Sequence, residues 1–367
     1  MRRLTCFDGL RGALAVYVML SHLAPFAVLP DWIAQPLSHG GAAVDVFFVL
    51  SGMVIVRSLD RFGWRAGPFL RARAWRIFPL FLVALAFAIA LQPLALPFPA
   101  MPWIGPASPA RDIWSGGWPV AWAGDLAAHL TMTHGLLPHA VLPYAWVSFL
   151  GAAWSLSTEW QFYVLLAALA AGRGPRARAG LPWLFLGLAA AGLAWSHVAP
   201  PGWRFSRAFL GNEAQYFALG IAGGDWLDRP ETGRRHAGVL GCVLLLCLAA
   251  GGAGKLAAPL VWIVCLLAER AGSPGQRLLA PLAAALRLPV MQWLGGVSYA
   301  LYLVNEPVQK LLGLGLARLA HGNAILFSAL WLPAAAALPL ATAWALHVAI
   351  ERRWRGGPAP RLRLAAK

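Results

Sequence analysis

Ten stretches of roughly membrane-crossing length, poor in charge, follow one another along the chain, at about 9–29, 41–57, 74–97, 150–171, 181–198, 207–227, 236–252, 255–270, 288–317 and 322–350. A hydrocarbon layer about 30 Å thick takes an α-helix of about 20 apolar residues. It also forbids unpaired backbone N–H and C=O groups, which leaves helices or closed barrels. The runs are too long and too continuous for barrel strands. An all-α polytopic integral membrane protein is therefore expected, a bundle of about ten transmembrane helices. Composition agrees, since 59% of residues are apolar and 12% charged, against about 45–50% and 25% in soluble domains. Mean hydropathy is +0.63. Collagen-like, coiled-coil, disulfide-scaffold and disordered classes are excluded.

The formal net charge of +16 would point to nucleic acid in a soluble chain. Here the basic residues lie between the apolar runs. With the N-terminus inside, 23 of them fall on the inner side, including Arg57, Arg61, Arg65, Arg71, Arg173, Arg229 and Arg270. Six fall outside, namely Arg111, Arg204, Arg207, Lys255, Lys310 and Arg318, and Arg11 lies within the first run. By the positive-inside rule both termini are expected to be cytoplasmic, and no nucleic-acid partner is expected. Residues 1–351 read as one membrane domain and 352–367 as a basic cytoplasmic tail. The opening Met1-Arg2-Arg3 resembles a signal peptide, but Arg11 and His22 interrupt the apolar stretch, so a retained first span is expected.

Cys6, Cys242, Cys247 and Cys265 have no CxxC spacing, so neither a disulfide framework nor a zinc site is expected, nor any other metal centre. The longest gap, about 98–149, reads as an outer loop whose Trp103, Trp114, Trp118, Trp122 and Trp146 suit the bilayer interface. No internal repeat of the kind common in transporters is visible.

Polar groups inside apolar spans are costly and therefore mark function. Arg11 and His22 are eleven residues apart, which on an α-helix is about 1100° of rotation and ~16 Å of rise, so they share one face at different depths. Asp45 lies about one turn into the second run, ahead of Ser51 and Gly52. Arg73 and Arg76 open the third run on neighbouring ridges. The fourth begins Trp154-Ser155-Leu156-Ser157-Thr158-Glu159, with Ser155, Glu159 and Tyr163 repeating every four residues. The ninth carries Ser298, Tyr299, Tyr302, Asn305 and Glu306. By depth these form two layers: His22, Asp45, Glu159, Asn305 and Glu306 toward the outside, and Arg11, Arg73 and Arg76 toward the cytoplasm. A long anionic donor entering from inside would set its phosphates on the arginines and its reactive end near His22.

These residues resemble the membrane acyltransferase-3 family, the O-acetyltransferases of bacterial surface polysaccharides, over nearly the whole chain. The resemblance rests on Phe7-Asp8-Gly9-Leu10-Arg11-Gly12 with His22, on Gly41 through Asp45-Val46-Phe47-Phe48-Val49-Leu50-Ser51-Gly52, on Arg73 to Pro79, on Trp154 to Tyr163, and on Gly296-Val297-Ser298-Tyr299-Ala300-Leu301-Tyr302-Leu303. It departs at Asn305, where the family often has histidine, at Trp160, where a second acid is common, and at Glu351-Arg352-Arg353, where Glu-Arg-Pro is frequent. The resemblance implies transfer of an acyl group, expected to be acetyl, from acetyl-CoA or another acyl-CoA to a hydroxyl of a glycan or lipid-linked sugar, in the bacterial inner membrane. It implies no bound cofactor. His22 would serve as general base or as an acyl carrier, with either Asp45 or Glu159 orienting it. Arg11, Arg73 and Arg76 would bind the donor. Ser51, Trp154, Tyr163, Ser298, Tyr299, Tyr302 and Asn305 would support the site or the acceptor. A transporter using the same buried charges as a substrate or proton path is the rival reading, and a non-catalytic scaffold leaves the in-phase Arg11 and His22 unexplained. Reporter fusions at Lys367 and in the loop near Trp114 should report opposite sides of the membrane; agreement between them would overturn the topology.

Overall fold

In the computed structural model, residues 4–114, 116–270 and 274–354 are described. Arg2, Arg3, Arg355, Arg361, Arg363 and Lys367, counted above toward the inner side, lie outside the described residues, as does most of the basic tail. Among the described residues there are helices and turns and no strand. Ten long helices stand where the ten apolar runs lie: α1 (Thr5–Leu23), α2 (Gly40–Arg61), α3 (Ala66–Ala90), α4 (Ala153–Arg173), α5 (Leu181–Val198), α6 (Leu210–Asp228), α7 (Gly233–Gly251), α8 (Ala257–Glu269), α9 (Pro289–Ala320) and α10 (Ala324–Leu346).

Their ends follow local chemistry. Pro25 tightens the chain after α1 into a 3₁₀ turn, since proline fits the first turn of a helix but not its interior. α9 stops where His321 takes the left-handed conformation and Gly322 follows with φ +79°. Asn323 then caps α10 by accepting from the Leu326 backbone N–H at 3.0 Å. The third helix starts at Ala66, earlier than the expected 74, because its first turns carry arginine on an amphipathic surface that apolar counting passes over.

Five helical stretches among the described residues are long and apolar enough to cross a membrane: Asp31–Arg61, Ala66–Ala90, Ala153–Val198, Pro230–Gly251 and Ala324–Glu351. Together they contain α2, α3, α4, α5, α7 and α10. Of the others, α8 is short, and α1, α6 and α9 are diluted by Asp8, Arg11, His22, Glu213, Asp225, Glu306 and Lys310. These last three helices are the ones wrapped by neighbours. α1 packs along α9, α9 against α10, and α6 between α2 and α5. Almost the whole of α6 from Leu210 to Asp225 is buried, so its polar groups meet protein rather than lipid.

Small residues set how closely these helices meet. A Cβ on Gly12 would lie 2.7 Å from the Gly295 backbone nitrogen, and one on Gly295 would strike the Asp8 carbonyl. Glycines on α1 and α9 thus bring two backbones together, the usual device where lipid supplies no hydrophobic drive between helices. Gly52 and Gly220 do the same for α2 and α6, each facing the other's backbone at Phe217 and Val49.

The segment between α3 and α4 folds over one end of the bundle. Trp118 and Trp122 are half exposed, as an interfacial position requires. Trp114 is not interfacial: it is buried against Phe26 and Trp331, in a slot that Gly313 opens because any side chain there would collide with the indole. Trp103 is also tied inward, donating from its indole N–H to the Phe26 carbonyl at 3.0 Å.

Candidate active site

The close contact of α1 with α9 carries His22 onto Asn305. His22 Nδ1 lies 2.6 Å from Asn305 Oδ1, and among the described residues no other hydrogen bond engages the ring. Three residues before Asn305 on α9, the Tyr302 hydroxyl shares a hydrogen bond of 2.8 Å with Ser155 on α4. Further along α9, a small cleft is lined by Glu306, Lys310 and Gln92 on its polar side and by Leu91, Phe149 and Leu150 on its apolar side. His22 is half-buried, and Asn305 is completely enclosed.

Arg11 lies on the same face of α1, toward the other end of the bundle. Its guanidinium Nη2 donates to the Ser298 hydroxyl at 3.4 Å, and Ser298 donates in turn to the Gly295 carbonyl. The charges that act on Arg11 come from Arg76, Asp8, Glu159 and Glu351. Arg76 also acts on Tyr299, whose hydroxyl donates to the Ile77 carbonyl at 2.8 Å. Arg73 acts on Tyr163, and its Nε is buried without a partner. The structure therefore gathers Arg11, Arg73, Arg76, Ser298, Tyr299 and Tyr163 at one end. Like-charged guanidinium groups drawn together inside a bundle repel unless an anion or acid lies between them.

The two carboxylates expected beside His22 are elsewhere. Glu159 accepts from Ser51 Oγ at 2.6 Å and from the Tyr163 hydroxyl, and its charge falls on Arg11 and Tyr299. It belongs with the arginine layer rather than the histidine layer. It lies six residues into α4, held by the Ser51 and Tyr163 hydroxyls. Asp45 accepts from Arg207 Nη2 at 2.8 Å and lies 3.7 Å from Lys255 Nζ. Arg207 also reaches Glu213 at 3.3 Å, and Lys255 lies 3.5 Å from the same carboxylate. Two acids and two bases thus compensate one another. Trp154, expected as a supporting residue, forms the floor of this group, with the Arg207 guanidinium 4.4 Å above its ring.

Sequence reasoning treated Arg207 and Lys255 only as topological charges and overlooked Glu213. The available signal was Arg207 and Glu213 flanking the start of α6, together with the rule that a buried acid in an apolar helix has a partner. A stacked pair of buried imidazoles, His129 and His134, with centroids 4.3 Å apart, also lies in the segment before α4. Burial, followed by the neighbouring His129, pushes His134 down to about 3, and burial lowers His129 too. Both are neutral near pH 7 and act in packing. No group of three or more His, Cys, Asp or Glu able to hold a metal ion occurs among the described residues.

The bundle thus holds a histidine bonded to an amide on α9 and, separately, a group of arginines on α1 and α3. A family model described as an acyltransferase domain matches residues 4–348, so the chain belongs to the acyltransferase-3 family. It is similar to protein 2 in the picA locus of Rhizobium radiobacter, 32% identical over 105 residues that cover 26% of this chain and 52% of the relative. It is also similar to the acyltransferase MdmB of Streptomyces mycarofaciens, 31% identical over 168 residues, 44% of this chain and 38% of the relative. The matched regions thus span about half or less of each relative's length. No solved structure matches the chain.

If Asp45 serves the charge cluster, Asp45→Asn should cost stability, since breaking a buried pair typically loses about 3–5 kcal/mol. Thermal unfolding in detergent should show a clear drop in midpoint. Unchanged stability with lost turnover would return Asp45 to the histidine.

Proposed function

We propose that this protein is a membrane O-acyltransferase of the bacterial inner membrane, with ten spans and both termini cytoplasmic. It takes an acyl group, acetyl in the simplest case, from acyl-CoA on the cytoplasmic side and passes it to a sugar hydroxyl of a cell-surface or exported glycan. The observation that carries this reading is His22 on the same face of α1 as Arg11, with its Nδ1 engaged by Asn305 and its other ring nitrogen unengaged among the described residues. Membership of an acyltransferase family supports the transfer chemistry.

In this reading the donor's phosphates rest on Arg11, Arg73 and Arg76, because charge-assisted hydrogen bonds to guanidinium are roughly twice as strong as neutral ones. The thioester then lies along the bundle toward His22. The acceptor hydroxyl gives its proton to His22 Nε2 as its oxygen attacks the thioester carbon. The C–S bond breaks, and the proton passes to the departing thiolate. The Tyr302 hydroxyl, bonded to Ser155 and carried on α9 one turn before Asn305, is the candidate donor to the oxygen that becomes negative in the transition state.

Two measurements test this. His22→Ala should lower acyl transfer by at least ~10²-fold, the scale of general base catalysis, while expression and insertion persist; near-normal acylation of the glycan would overturn the assignment. For the donor site, the Arg73→Lys, Arg76→Lys double variant should weaken acyl-CoA binding because an ammonium lacks the planar fork that grips phosphate, and Ala should weaken it further. Arg61→Lys, at the end of α2, and Arg65→Lys, just before α3, should leave it unchanged. Equal affinity of wild type and the double variant would reduce the cluster to a topological anchor.

A further inference from the structure

We infer that Asn305 is a positioning residue that holds His22 in the tautomer with its proton on Nδ1, leaving Nε2 as the one basic nitrogen turned toward substrate. This deepens the reading of His22 as the base and rests on it, yet the evidence lies in the amide's own bonds. A carboxamide has an oxygen that only accepts and a nitrogen that only donates. Asn305 Nδ2 donates to the carbonyls of Leu301 at 3.0 Å and Tyr302 at 2.7 Å, one and nearly one helical turn back on α9. Both of its hydrogens are thereby used, and the orientation of the amide is fixed, because a flip would set an oxygen against two carbonyl oxygens.

The oxygen that remains faces His22 Nδ1 at 2.6 Å. An acceptor at that distance requires a hydrogen on Nδ1. In a neutral imidazole only one nitrogen carries hydrogen, so Nε2 keeps its lone pair. The complete enclosure of Asn305 removes water as a competing partner. Pro307 lies two residues further along the same helix, so the turn carrying this amide borders a point where the backbone ladder lacks one N–H.

Asn305 touches neither donor nor acceptor in this scheme. It acts through His22, and its effect falls on turnover rather than on donor binding. This separates it from a mere packing role, and also from the carboxylate orienters expected at Asp45 or Glu159. A neutral amide fixes the tautomer without adding a charge to the histidine layer, whereas a carboxylate there would bring one.

The test is ¹⁵N NMR of protein labelled at histidine, with the His22 signals identified by subtraction of the His22→Gln spectrum. In wild type at neutral pH the Nδ1 signal should be that of a protonated ring nitrogen and Nε2 that of an unprotonated one. In Asn305→Ala the two signals should move toward a mixture of tautomers, with kcat falling ~10–10²-fold, the scale on which losing the hydrogen-bonded partner of a working histidine acts, and donor KM little changed. A wild-type ring protonated on Nε2 would overturn the inference, even if the variant fails to insert. So would an Asn305→Ala spectrum identical to wild type. If the wild-type tautomer is as stated but His22→Ala retains acyl transfer, the positioning by Asn305 stands and the base reading falls.

Discussion

The approach of α1 to α9 at Gly12 and Gly295 is the contact on which the site depends. Helices in lipid gain little from burying apolar side chains against each other, so close packing and hydrogen bonds must hold them. Glycine lets the two backbones meet closely enough that side chains further along cross the gap. Arg11 reaches Ser298 next to this crossing, and His22 reaches Asn305 about three turns on. A bulkier residue at either glycine would separate both pairs at once, because a rigid helix transmits a displacement along its length.

Around that seam the charges divide into two kinds. At Asp45, Glu213, Arg207 and Lys255 the acids and bases are matched and closely spaced, which is how buried ions are tolerated. At the other end of α6, Asp225 binds Arg178 at 2.7 Å and Arg229 at 2.9 Å, with Arg235 also paired to it, fastening the connecting turns to the bundle. The arginines of α1 and α3 are different. Arg11 is bonded to a neutral hydroxyl, and Arg73 leaves its Nε buried and unpartnered. Guanidinium groups set in this way retain capacity for an anion, while those bound to Asp225 have spent theirs.

Much of this was legible from residue order. The apolar runs mark ten helices, and the eleven-residue spacing of Arg11 and His22 places them on one face because helical rotation is a local property. The grouping of Arg73 and Arg76 with Arg11 follows from depth alone. The motifs around Asp45, Glu159 and Ser298 also carried the family resemblance that the family match supports over residues 4–348. Depth was misleading for Glu159, whose hydrogen bonds go to Ser51 and Tyr163 and whose charge falls on Arg11.

What the sequence by itself determined is therefore the class of protein, the helices and the polar groups on each helical face. Only the tertiary structure decided which faces meet. His22 is 283 residues from Asn305, and Asp45 is 162 from Arg207. Trp114, with the composition of an interfacial residue, is enclosed by Phe26 and Trp331. Periodicity fixes where a side chain points around its own axis, but the neighbour it meets depends on how helices far apart in the chain rotate and slide against one another. That register is set by the sum of many close contacts, such as those at Gly12, Gly52, Gly220 and Gly295, which exist only once the bundle has formed.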